Sequence, residues 1–318
     1  MTSKPAATID LKRVLSDAQL PALPQSAVQL LDLSQDPENG PPEFAVPIES
    51  DPGLASQVLR FVNSSYFGFA HEISTVRLAL TLVGVRTVKN FVLWSAVFSS
   101  IPQPKCGPFD LKRAWQDSLR RALFARGLAK ELRITEVEEV FCAALLQDVA
   151  LPLLAGAAPQ VYEKLLEKRR ETDIRLSELE QRVFGWTHAE AGGMVCRQWN
   201  LPDRLAALVE NHADIQRCAA AAESDPGSAA VALSALLPSA ADAAWTEREL
   251  FEHAWQRTMV GNGPEIPSLF GEVDHQFTEL APLLKLSSSS QTLTELYESS
   301  THELSAGQAA HALAGLAP

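Results

Sequence analysis

Apolar positions recur along most of this chain at the three-to-four-residue period of an α-helix, and period-two alternation is nearly absent. The sharpest case follows Asp51-Pro52, where Leu54, Val58, Phe61, Val62 and Ser65 share one helical face. Asp51 is placed to accept bonds from the first free amides, and Pro52 has no amide to leave unpaired. Earlier, Pro24 opens a segment with Ala27, Leu30, Leu31 and Ser34 at helical spacing, and ENGPP (38–42) reads as a loop. Gly68 is a stop signal. Beyond it a second helical region carries Val76, Leu80, Val88, Phe91 and Val92, interrupted by Gly84. The prolines and glycine of IPQPKCGPF (101–109) mark an internal boundary.

Three capping boxes predict later helix starts: Thr135 with Glu138, Thr187 with Glu190, and Thr246 with Glu249. Between the first two lies FCAALLQDVALPLLA (141–155), apolar on every helical face except for Gln147-Asp148. A carboxylate in such surroundings is costly unless something pairs with it. The alanine-rich stretch 218–244 leaves two readings open, a core helix or a flexible connection. TERELFEHAWQRTMV predicts a helix with Leu250, Phe251 and Ala254 facing the core; SSSS (287–290) predicts a linker before a short helix around Leu293, Leu296 and Tyr297. Residues 1–17 are expected to form a flexible arm, and the last few residues a frayed tail. The expected fold class is all-α.

The formal net charge is −12, which argues against unspecific binding to nucleic acid or an anionic membrane. The opening MTSKPAATID has no apolar core after its lysine, so no secretory signal is expected. The longest apolar stretch, from Val140 to Tyr162, carries Asp148 and is broken by Pro152 and Pro159, so a membrane span is not expected. Cys106, Cys142, Cys196 and Cys218 are scattered with no CxxC pair, which suits buried thiols in a reducing cytoplasm.

Several segments stand in a recognisable order. LPALP, IESDPGLASQVLRFVNSSYFG and ISTVRLALTLVGVRTVKNFVL resemble the first half of the HDOD domain, the HD-related output domain of bacterial signalling proteins. AWQDSLRRALFARGLA, FCAALLQDVALPLLA and THAEAGGMVCRQWNLPDRLAALVENHAD resemble its second half, which is related to HD phosphohydrolases. The resemblance implies a multi-helix bundle of two packed lobes, about 18–104 and 105–215 within an HDOD domain at 18–215. A helical C-terminal extension, 216–318, follows without a recognisable counterpart. Pro47 departs from the family's pattern and is expected to kink or shorten its helix.

In active HD phosphohydrolases a histidine, a His-Asp pair and a later aspartate hold a divalent metal that activates water. By that resemblance Asp117 stands where the first histidine belongs, and the His-Asp pair has become Gln147-Asp148. VALSALLPSA offers no terminal aspartate at the expected place. Too few ligands remain for the ancestral metal chemistry, so neither a metal nor another cofactor is expected. Asp148 is read as a structural remnant bonded to Gln147, His188 or His212. The sharper alternative is a rearranged metal site built from Asp117, Asp148, His188 and His212.

Asn63, Tyr66, Phe67 and Phe69 lie in the family's NSxYxG-like segment. They are read either as a partner surface or as plugs between helices, with Asn63 bonding backbone. LVGVRTVKNF, with Arg77, Arg86 and Lys89, is similar to the glycine turn of helix-hairpin-helix DNA binders, but it has one glycine of the usual pair in an acidic chain. Gly192-Gly193 suit close helix packing, and EKLLEKRRETD (163–173) reads as a solvated helix face able to dock an acidic partner. The function implied is a non-catalytic signalling module that binds other proteins. The alternative is a degenerate metal-dependent phosphohydrolase or a nucleotide-binding protein using the remnant pocket.

Overall fold

The computed structural model describes residues 11–17, 20–64, 67–172, 174–239, 245–259, 263–287 and 291–299. Among them every regular element is helical. The first half comprises α1 (Leu11–Asp17), α2 (Gln25–Leu33), α3 (Pro41–Glu49), α4 (Pro52–Val62), α5 (Val76–Val83) and α6 (Val85–Ser100). As expected, the Asp51 side chain caps α4, accepting from the amides of Gly53 at 3.0 Å and Leu54 at 3.1 Å. Gly84 separates α5 from α6 at φ 93°, a left-handed conformation that a side chain would strain. Helix α3 runs on through Pro47 and ends two residues later, at Glu49.

The second half is built around α7 (Leu111–Glu131), a 21-residue helix capped by Asp110. There follow α8 (Val137–Leu146), α9 (Ala150–Ala157), α10 (Pro159–Glu171), α11 (Leu176–Phe184), α12 (His188–Gln198) and α13 (Asp203–Asn211). Then come α14 (Ile215–Ala220), α15 (Pro226–Ser234), α16 (Arg248–Thr258) and α17 (Ile266–Leu280), with a final helical stretch at 293–299. Helix α7 packs on α8, α15 and α17, so it is buried on several faces at once. One apolar core runs from Leu15 to Leu293 through both halves and the extension.

The extension docks through aromatic contacts. Phe124 of α7 lies 5.7 Å from Phe251, 5.9 Å from Phe270 and 6.2 Å from Trp255, ring centre to ring centre. Phe251 and Ala254 are buried, as the helical pattern of this segment requires. The alanine-rich stretch resolves to core helix over α14 and α15, while its 240–244 portion lies outside the described residues. Residues 288–290 of the serine run lie outside them too.

Three expectations need correction. Residues 11–17 are helical rather than a loose arm, because Leu15 is buried where α1 packs on α9 and α12. The Thr135 capping box does not form, since α8 begins at Val137 and Glu138 is drawn into an ion pair with Arg126 at 2.6 Å. The Thr246 box fails as well: α16 begins at Arg248, with Glu247 as its uncapped N-terminal neighbour. The Thr187–Glu190 box is complete. The stretch Val137–Ala157 is long and apolar enough to cross a membrane by length and composition, yet 78% of its most apolar window is buried inside this fold.

Candidate functional site

The apolar run at 141–155 breaks between α8 and α9. Gln147, Asp148 and Val149 form the turn, which places the Asp148 carboxylate at the end of a helix facing α7 and α12 rather than within a ladder. Helices α12 and α13 approach closely because Gly192 and Gly193 lack side chains: a Cβ on Gly193 would lie 2.7 Å from Glu210, and one on Gly192 2.9 Å from Val209. That approach brings His188, at the start of α12, to His212, just past the end of α13. Their Nε2 atoms are 3.3 Å apart.

Both imidazoles are oriented from behind. His212 Nδ1 donates to the Val209 carbonyl at 2.6 Å; because a carbonyl only accepts, that nitrogen carries the proton and Nε2 has a free lone pair. His188 Nδ1 lies 2.6 Å from Glu180 Oε2, which also accepts from the His188 amide at 2.8 Å. The other Glu180 oxygen accepts from the Tyr162 hydroxyl at 2.8 Å. Asp148 Oδ1 lies 3.4 Å from His188 Nε2 and 3.7 Å from His212 Nε2. Its second oxygen, Oδ2, is held by the guanidinium of Arg121.

These neighbours set the protons. Burial pulls the His188 pKa down, but the Glu180 and Asp148 carboxylates outweigh it and bring it to about 9. Burial and the adjacent cationic His188 push His212 down to about 3. Burial raises Asp148, yet the Arg121 guanidinium and the two imidazoles hold its carboxyl well below the usual range. Near neutral pH His188 is therefore an imidazolium donating to Asp148 and to the lone pair of neutral His212. Two carboxylates, Glu180 and Asp148, face two cations, His188 and Arg121.

This arrangement fits a divalent ion in spacing and not in charge. Ligand atoms bound at ~2.1 Å around a tetrahedral ion are ~3.4 Å apart, close to the separations among Asp148, His188 and His212, whose ligand atoms all lie within 4.8 Å of one another. Arg121, however, already supplies a fixed positive charge to Asp148, and a metal would have to displace the proton that Glu180 and Asp148 favour on His188. An ion there would add two charges to a balanced cluster. The donors present do not favour it.

The structure gathers Asp117, Asp148, His188 and His212 around one cavity of about 160 Å³. Asp117 accepts there from the Ser239 hydroxyl. Gln147 is placed apart. Consecutive residues on a helical turn point in different directions, and its Oε1 meets Ser234 of α15 at 3.4 Å instead of Asp148. Two residues of the cluster escaped the sequence reading. Arg121 falls one turn after Asp117 on the same face of α7, a spacing visible in AWQDSLRRA. Glu180 sits on the apolar face of α11 with Leu176, Leu179 and Phe184, so an acid in a buried stripe was its signal.

Of the aromatic segment, Asn63 bonds backbone on both sides of its loop, donating to Leu59 and Ile73 carbonyls and accepting the Ile73 amide at 2.7 Å. Phe67 packs edge-on against Phe61 at 5.0 Å, and Phe69 stacks on Phe67 while 38% exposed. Tyr66 lies outside the described residues.

A family model for the HDOD domain matches residues 20–215. Among solved structures, an HDOD domain protein of unknown function from Geobacter sulfurreducens superposes with a TM-score of 0.60 at 20% identity, covering 95% of this chain and 98% of its own. A Shewanella amazonensis protein, whose name proposes a phosphohydrolase, gives 0.59 at 20% identity over 92% of this chain and 93% of its own. At such identities these likenesses concern the fold. An uncharacterized protein of Treponema pallidum is 25% identical over 194 residues, 61% of this chain. The match spans only 37% of that relative's length.

Proposed function

Since the chain belongs to the HDOD domain family, we propose that it is a non-catalytic regulatory module of bacterial signal transduction that works by contacting protein partners. The observation carrying this reading is the guanidinium of Arg121 on Asp148, the one HD-motif acid that remains. An arginine in that position does electrostatically what a metal ion does for a carboxylate, but it has no open coordination site and activates no water. In this reading residues 18–215 form the module, the buried ion cluster holds α7, α11, α12 and the α8–α9 turn in one arrangement, and outer helical surfaces meet the partner. Partly exposed Phe69 belongs to one such surface. The four free thiols are all buried, which suits a reducing cytoplasm.

Metal content tests the reading. The purified full-length protein, dialysed against manganese or zinc, is expected to retain no stoichiometric ion and to leave bis(p-nitrophenyl) phosphate intact. A bound ion in one-to-one ratio together with hydrolysis would sink it. That result would favour a second reading, a degenerate phosphohydrolase using Asp148, His188 and His212, for which the convergence of their ligand atoms is the supporting observation.

A further inference from the structure

The cavity above the ion cluster has a mouth that the regulatory reading does not use. Among the described residues lining it are five arginines, Arg113, Arg121, Arg169, Arg170 and Arg175, against four acids, Asp110, Asp117, Asp148 and Glu247. In a chain of net charge −12 a cavity edged by that many guanidinium groups is a local inversion of sign. Two of the arginines come from the basic run of α10, which therefore faces a cavity as well as solvent. Arg121 is used up on Asp148, and Arg113 and Arg170 are exposed at the rim.

The arginines already hold one oxyanion. Glu247 lies 3.1 Å from Arg175 Nε and 3.9 Å from Arg169 Nη2, so two guanidinium groups converge on a single carboxylate at the wall of the cavity. Arg170 reaches across the mouth to the Pro108 carbonyl at 3.1 Å, and Arg113 of α7 lies 3.5 Å from the exposed Asp110 carboxylate. Between them the wall is apolar, made by Phe109, Leu151 and Leu166. Planar guanidinium forks are suited to phosphate oxygens, and an apolar wall beside them suits an uncharged body attached to that phosphate.

We propose that this cavity binds a small phosphate monoester, with its phosphate on Arg169, Arg170 and Arg113 and its organic body against Phe109, Leu151 and Leu166. The phosphate competes with Glu247 for Arg169. Because Glu247 immediately precedes α16, occupancy frees the start of that helix and passes to the C-terminal extension. The inference does not depend on a protein partner or on the metal content of the cluster.

Calorimetric titration of the full chain at low salt tests it, with phenyl phosphate as the probe and inorganic phosphate, phenol and benzoate as comparison arms. Phenyl phosphate is expected to bind most tightly, to weaken as sodium chloride is added, and to lose about tenfold in affinity in Arg170→Ala. Arg60→Ala, at an exposed arginine of α4, leaves the affinity unchanged. Glu247→Gln, which stops neutralising Arg169 and Arg175, raises it. The proposal is overturned if phenyl phosphate binds no better than benzoate or phenol, or if Arg170→Ala and Glu247→Gln both leave its affinity at the wild-type value.

Discussion

The proton on His188 makes stability depend on pH in a calculable way. The pKa of this side chain rises from 6.5 in the unfolded chain to about 9 in the fold. At ~1.4 kcal/mol for each pH unit, that rise contributes about 3 kcal/mol to folding. A raised pKa stabilises fully below the unfolded value, so the contribution is whole at pH 6.5 and is lost as pH climbs through about 9. His212 behaves in the opposite sense. Its pKa falls to about 3, so below 6.5 the unfolded chain takes a proton that the fold refuses, and stability drops there too. Together the two histidines contribute most near pH 6.5, and their contribution declines on both sides. Buried thiols also steepen the alkaline limb, because burial pushes Cys142 up to about 12 and Cys218 to about 11 while the unfolded chain ionises near 9; that contribution is common to wild type and variant and cancels in their difference. The perturbation is His188→Gln, which carries no titrating proton, and the assay is urea unfolding extrapolated to water at several pH values. The wild type should lose about 3 kcal/mol more than the variant between pH 6.5 and about 9, whatever the variant's absolute stability. Parallel alkaline limbs would refute the charge assignment, as would a nitrogen chemical-shift titration placing the His188 midpoint below neutrality.

Other consequences follow from the same contacts. Asp148→Leu takes from the largely buried Arg121 the carboxylate that holds it and should cost about 3 kcal/mol, whereas Asp148→Asn keeps an acceptor and should melt at a higher temperature than Asp148→Leu; equal melting temperatures would contradict the pairing. Gly193→Ala forces a Cβ to within 2.7 Å of Glu210, so α12 and α13 must part. A loss of about 1–3 kcal/mol in chemical denaturation is expected, with the His188 titration moving toward 6.5 as the cluster loosens. Phe124→Ala removes the ring on which Phe251, Trp255 and Phe270 converge, and should cost about 3–5 kcal/mol while exposing α16 to limited proteolysis.

Local rules written in neighbouring residues were legible along the chain. The Asp51 cap, the Gly84 break and the Thr187–Glu190 box each depend on a few contiguous side chains, and each appears in the fold. The failed boxes at Thr135 and Thr246 show where that logic ends. Glu138 had a better partner in Arg126, twelve residues back along the chain, and no local pattern announces such competition. Similarly, Leu15 turned an expected loose arm into a helix because α9 and α12 offered it a buried place.

For the site, the chain by itself determined that Asp148 sits in an apolar run beside Gln147, and it supplied Asp117, His188 and His212 as candidate neighbours. It determined, too, that the regular elements among the described residues are helices. Only the tertiary structure decided what answers the carboxylate. Residues 121, 148, 180, 188 and 212 come from separate elements, and their charges interact through space over a few ångströms, a quantity that sequence separation does not encode. Packing allowed by Gly192 and Gly193 brought the two imidazoles together, and the position of α7 put a guanidinium, already carrying its charge, against the acid that a metal would need.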